Sequence, residues 1–270
     1  MKVIGFNAGI RGDLIMNTVA SRAVKEKWPN CHLTFGIGKP FEDMAPLFKN
    51  HPYINDIHIW ESYDGLTNND KKWIEEQKFN HVFNPMPIHS SSNWYNEVEC
   101  QTAEVCKMHG LEPPYDLSCY LERWFGLNHF YKDRRISIAP WTAYNPKNMD
   151  INRWIQIVEY IKNKGMKVIQ LSAPDQPLIQ GAQFIEQPTY FNSVKAMLTS
   201  KFLLTLDGGI SWVASAYQHP VLGLYGYHYP SLKSPKVYEP INPNAIYLEG
   251  KHANEIPMEQ IFQTIDGILK

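Results

Sequence analysis

The chain has 270 residues, 44% hydrophobic and 20% charged, enough for one large core or two modest domains. Its formal net charge of -1 advertises neither a nucleic acid nor an acidic membrane through bulk electrostatics, although a local basic patch or a peripheral membrane contact stays compatible with it. No stretch approaches the roughly 20 apolar residues of a membrane span, and Met1-Lys2 leads directly into an apolar strand without a signal-peptide pattern, so a soluble cytoplasmic protein is expected.

In chain order, "KVIGFN" reads as a strand, "AGIRGD" as a loop and Leu14 to Lys27 as a helix with apolar residues at helical spacing. "HLTFGIG" is a second strand, "FEDMAPLFKN" a helix, "INDIHIW" a third strand, "NDKKWIEEQ" a helix and "FNHVFNP" a fourth strand. "EVECQTAEVCKMHG" reads as a helix stopped by Gly110, while the two prolines of "LEPPYDLSCYL" bar a central strand. The polar "GLNHFYKDRR" marks a boundary near residues 126–135. The rhythm then restarts: "ISIAP", "NRWIQIVEYIKNKG", "KVIQLS", "NSVKAMLTS", "FLLTLD", "GISWVASAYQ" and "VLGLYG" alternate strand and helix. "NAIYLEG" is a last strand and "PMEQIFQTIDGIL" a last helix, with Pro257 suited to its first turn. This alternation implies βαβ units on parallel sheets, in two α/β halves that place a cleft between them.

Four cysteines without CxxC or Cys/His ligand spacing are expected to be reduced and structural. Ten scattered histidines, with no HExxH and no compact carboxylate cluster, indicate no metal site. Neither GxxxxGK[ST] nor a GxGxxG after a strand occurs, so the P-loop and the usual dinucleotide fingerprint are both absent.

Ligands of open α/β sheets bind at the carboxyl ends of strands, which draws attention to one loop in each half. In the first, Gly12 permits close backbone approach, and Asp13 is either a helix cap or a carboxylate that removes a proton from a substrate hydroxyl. In the second, Thr142 and Lys147 follow a strand and would face the Asp207-Gly208-Gly209 turn. Hydroxyl, ammonium and helix N–H groups together would make an anion cradle.

Gly12-Asp13, Lys147 and "DGGISWVASAYQHPVLGLYG", together with "GDLIMNTVASRAVKEKWPNCHLTFGIG" and "HPYINDIHIW", resemble the heptosyltransferase family of nucleotide-sugar glycosyltransferases, glycosyltransferase family 9. The resemblance covers most of the chain in matching order. It implies an α/β GT-B architecture, two Rossmann-like domains facing across a cleft: residues 1–130 on the acceptor side, 131–256 binding the nucleotide sugar, and a helix in 257–270 packing back toward the first domain. It implies inverting, metal-independent sugar transfer from a nucleoside-diphosphate sugar to a glycan or glycolipid acceptor, in lipopolysaccharide or surface-glycan synthesis, with no further cofactor. Asp13 would be the base; Thr142 and Lys147 would hold the diphosphate; Asp207, Gly208, Gly209 and Ser211 would line the donor site; Arg11 and Gly12 would meet the acceptor.

Where the family commonly has histidine two residues after the position of Ile210, this chain has Trp212, which either stacks on a base or sugar ring or packs under the turn. His228 in "GYHYP" is either a replacement donor-site contact or a solvated loop residue. Acceptor contacts would also fall in the irregular Pro85 to Tyr120 region, where His89, Ser90, Ser91 and Trp94 suit polyhydroxyl ligands. Two rivals stand beside this reading. One is a nucleotide-sugar-binding protein without turnover, prompted by Trp212; the other is a viral-type glycosyltransferase acting on modified DNA, which the balanced charges of "KKWIEEQK" do not favour.

Overall fold

The computed structural model describes residues 1–5, 10–62, 65–83, 100–122, 134–142, 145–171, 176–185, 189–226 and 239–270. The chain divides into two compact units, Met1–Trp124 and Phe125–Lys270. Residues 126–133 of the polar boundary segment, His89, Ser90, Ser91, Trp94 and His228 lie outside the described residues.

The first unit runs β1 (Lys2–Gly5), α1 (Arg11–Lys27), β2 (His32–Gly38), a 3-10 segment (Lys39–Phe48), β3 (Asp56–Trp60), α2 (Asn68–Gln77), β4 (His81–Val82) and α3 (Gln101–Met108). Its four strands are parallel in the order β3-β2-β1-β4. Counted in chain order this is 3-2-1-4, so the winding direction reverses between β1 and β4.

Helix α1 leaves that reversal buried from Gly12 through Val24. A helix buried on every side must satisfy its polar residues internally. Asn17 Nδ2 donates to the Asp13 carbonyl at 2.9 Å, Thr18 Oγ1 to the Ile15 carbonyl at 2.7 Å and Ser21 Oγ to the Asn17 carbonyl at 3.0 Å. "FEDMAPLFKN" forms a kinked 3-10 segment instead of the expected helix, because Pro46 removes a backbone donor and Phe41 leaves helical geometry at φ -121°, ψ 17°. The cysteines are free, and burial pushes the Cys106 and Cys119 thiols up to about 12, so both stay protonated.

The second unit contains β5 (Arg135–Ala139), a 3-10 turn (Asn145–Lys147), α4 (Ile151–Asn163), β6 (Lys167–Gln170), β7 (Gln183–Phe184), α5 (Tyr190–Leu198), β8 (Leu203–Leu206), α6 (Gly209–Ala216), β9 (Val221–Gly226), β10 (Ala245–Gly250), a second 3-10 turn (Ala253–Glu255) and α7 (Met258–Leu269). All its strand pairs are parallel, in the order β10-β9-β8-β5-β6-β7. Read from β5, this is the doubly wound order 3-2-1-4-5-6 with its switch point between β5 and β8. Strand β7, two exposed residues at the sheet edge, was not expected, since two residues carry no periodicity.

Central strands β8 and β9 are buried at every residue, as a parallel sheet covered on both faces requires. Helix α4 starts at an Asp150 cap, whose carboxylate accepts from Asn152 N–H at 2.7 Å, and buries Trp154, Ile157, Val158 and Ile161 on one stripe. In the same core lie Ile136, Ile138, Leu204 and Leu222 of the strands and Ile261 and Ile265 of α7. Burying each aliphatic side chain of this size contributes about 1.5–3 kcal/mol. Tyr160 of α4 stacks on Phe262 of α7 at 4.1 Å, so the last helix is held by the second unit's own core.

Candidate donor and acid-base sites

The second unit's switch point carries the residues expected to hold a diphosphate. The 3-10 turn after β5 directs Lys147 to Asp207, the first residue after β8, with Nζ 2.5 Å from the carboxylate. The lysine side chain is 17% exposed and the aspartate side chain 5%, so the pair is largely shielded from water. Gly208 is the extended N-cap of α6; a Cβ built on it would stand 3.9 Å from Thr142 Cγ2, which puts the threonine beside the helix N-terminus. Thr142 N–H donates to Asn148 Oδ1 at 2.7 Å, closing the loop that carries both Thr142 and Lys147. An ammonium, a hydroxyl-bearing side chain and the start of a helix therefore lie together where β5 and β8 part.

Ser211 and Trp212, expected to line the donor site, are both buried in α6. Ser211 is fully buried and its hydroxyl donates to the carbonyl of Gly208, the N-cap residue of its own helix, at 2.6 Å. Trp212 is 5% exposed.

A strap after β10 supports the lysine turn. His252 Nε2 donates to the Pro146 carbonyl at 2.7 Å while its Nδ1 accepts from Asn254 N–H at 3.1 Å. Asn254 Oδ1 accepts from Asp150 N–H at 2.7 Å, and Arg153 donates to the Ile256 carbonyl. Sequence reading missed His252 and Asn254, because nothing in their local pattern shows that they lie against a loop 106 and 104 residues earlier.

In the first unit Asp13 occupies the third position of α1, not its cap; Ile10 is the cap residue. Its carboxylate accepts from Ile10 N–H at 3.1 Å and is 1% exposed. The capping role expected of this residue is thus present, from inside the first turn. Gly12 beside it is buried. Arg11 makes a bidentate pair with Asp43 at 2.7 and 3.0 Å and lies 5.5 Å from the Phe41 ring centre.

The irregular segment after α3 is anchored on α1 and on the turn that follows the 3-10 segment. Arg22 pairs with Asp116 at 2.7 Å, and His51 Nε2 donates to the Tyr120 carbonyl at 3.1 Å while Nδ1 accepts from Tyr53 N–H at 3.2 Å. Burial lowers His51 to about 4, which keeps it neutral in this role. Among the described residues no group of three or more His, Cys, Asp or Glu is arranged to hold a metal ion, and no helix is long and apolar enough to cross a membrane.

Two parallel sheets with switch points at β1/β4 and β5/β8 define a GT-B fold. Solved structures agree. Escherichia coli ADP-heptose LPS heptosyltransferase II is similar over 100% of this chain and 98% of its own, with a TM-score of 0.73 at 12% identity. E. coli heptosyltransferase WaaC with ADP matches over 99% and 100%, TM-score 0.70, 11% identity. The glycosyl transferase family 9 protein of Veillonella parvula matches over 99% and 96%, TM-score 0.68, 16% identity. The chain belongs to glycosyltransferase family 9 (heptosyltransferase), whose profile matches residues 107–265. No curated protein matches the sequence.

Proposed function

We propose that this chain is an inverting glycosyltransferase that moves a sugar from a nucleoside-diphosphate sugar to the hydroxyl of a glycan or glycolipid, in lipopolysaccharide or surface-glycan synthesis. The observation that carries the reading is the convergence of Lys147, Asp207, Thr142 and the α6 N-terminus at the switch point of a family 9 chain. One solved relative, in two structures, supports a nucleotide ligand: WaaC is described with ADP and with ADP-2-deoxy-2-fluoro heptose.

In this reading the diphosphate lies against the first turn of α6, its charge met by the Lys147 ammonium, the Thr142 hydroxyl and helix N–H groups, without a metal or further cofactor. Asp13 accepts the proton of the acceptor hydroxyl. The oxygen then attacks the anomeric carbon from the face opposite the diphosphate, the bond to the diphosphate oxygen breaks, and the nucleoside diphosphate leaves with that electron pair. Fixed donors aimed at the departing oxygen lower the barrier because they need no reorganisation as charge develops.

A thermal-shift screen of ADP, GDP, UDP, CDP and their sugars tests the reading. A ligand that binds only the folded chain at 100 times its Kd stabilises by about 2.7 kcal/mol. One base-specific rise in Tm is expected; no rise with any nucleotide rejects the donor site. Binding with neither transfer nor donor hydrolysis would instead establish a nucleotide-sugar-binding protein.

A further inference from the structure

Behind the α6 turn lies a buried polar relay that the proposed chemistry does not use. Tyr225, at the end of β9 and 1% exposed, donates its hydroxyl to Ser211 Oγ at 3.0 Å. Ser211 Oγ donates to the Gly208 carbonyl at 2.6 Å, and Ser211 N–H reaches the same carbonyl at 3.0 Å. Two donors therefore pull the Gly208 carbonyl into the helix. The peptide is planar and trans, so the N–H of Gly209 points the opposite way, out of the helix start.

That orientation is not secured by the local sequence. A Gly-Gly peptide has no Cβ on either side to oppose rotation, and a flipped peptide would present its carbonyl oxygen where an anion is to bind. From this geometry we infer that Tyr225 and Ser211 are positioning residues for the reaction: they lock the Gly208–Gly209 peptide with its N–H outward, ready for the donor diphosphate. The inference rests on the donor-site reading above. Burial raises the Tyr225 phenol well above its ordinary 10, so it remains a protonated donor throughout the working pH range.

The test is calorimetric titration of the wild type, Lys147→Ala, Tyr225→Phe, Ser211→Ala and the Tyr225→Phe/Ser211→Ala double variant with ADP, GDP, UDP and CDP, each against its parent nucleoside. Tyr225→Phe and Ser211→Ala are each expected to weaken the diphosphate about three- to tenfold and to leave the nucleoside unchanged, since only the phosphates touch the peptide. The double variant should lose no more than the larger single loss, because both side chains act through one carbonyl. A loss shared equally by diphosphate and nucleoside means general loosening and overturns the inference. Weakening by Lys147→Ala with neither relay variant affected overturns it while leaving the donor site standing. If the wild type binds no diphosphate, the donor site falls and the relay's role with it. Should Tyr225→Phe not fold, Ser211→Ala carries the same comparison.

Discussion

The two units solve the same topological problem with different degrees of local commitment. Each sheet reverses its winding beside its first strand, and each places a loop and a helix start there. In the second unit that place is cross-braced by residues distant in sequence: Lys147 to Asp207, His252 to Pro146, Tyr225 to Ser211. In the first, the Asp13 carboxylate accepts from Ile10 N–H three residues away, and the neighbouring Arg11 is braced to Asp43. A fixed anionic group such as a diphosphate needs several donors held in advance, whereas proton transfer needs one carboxylate at hydrogen-bond reach. The contrast suits a division of labour, and three experiments bear on it.

The largest effect is expected from Asp13→Asn. Asparagine keeps an oxygen for the Ile10 N–H but cannot accept a proton, so transfer should fall about 10²–10⁴-fold with donor affinity within a few-fold. Loss of a negative charge in the first turn of α1 should cost only about 0.3–1 kcal/mol of stability. Near-wild-type transfer, with chemistry shown to be rate-limiting, would reduce Asp13 to its capping role and leave the first unit without an assigned base.

Acid should separate the units next. Burial lowers both His51 and His109 from 6.5 to about 4. The unfolded chain therefore binds protons more readily between those values, and the stabilisation present above about pH 6.5 is lost as pH falls toward 4. The expected loss is roughly 3 kcal/mol per histidine across that window. Urea midpoints at pH 7, 5.5 and 4.5 for the wild type and His51→Gln measure it. A slope unchanged by the substitution would mean that His51 titrates normally in the folded chain.

The smallest of the three effects belongs to Lys147→Ala, expected to weaken the diphosphate by about 1.5–3 kcal/mol. From sequence, this lysine contributes to ligand binding and little to the fold. Its pairing with the buried Asp207 changes that expectation, because Ala also removes the cation facing a carboxylate shielded from water. Tm should fall as well, and Lys147→Ala/Asp207→Asn should recover stability without recovering affinity. Unchanged diphosphate affinity in a folded Lys147→Ala protein would make the ion pair a structural brace only.

Much of the molecule was legible before any coordinates, for a local reason. Strand and helix periods are written over windows of four to seventeen residues, so β2, α4, β8, β9, β10 and α7 lie where the apolar spacing puts them, and the ordered motifs sufficed to place the chain in its family. The misses are local too: Pro46 turned an expected helix into a 3-10 segment, and β7 is too short to carry a signal. What sequence could not decide is which way each side chain near the motif faces. Ser211 turned inward to its own helix cap and Trp212 into packing, although both stand within six residues of Asp207 in the chain. The pairing of Lys147 with Asp207 spans 60 residues, and that of His252 with Pro146 spans 106. Such contacts follow from strand order, because β5 and β8 become neighbours only when the second half of the sheet winds back, and no local propensity encodes that reversal.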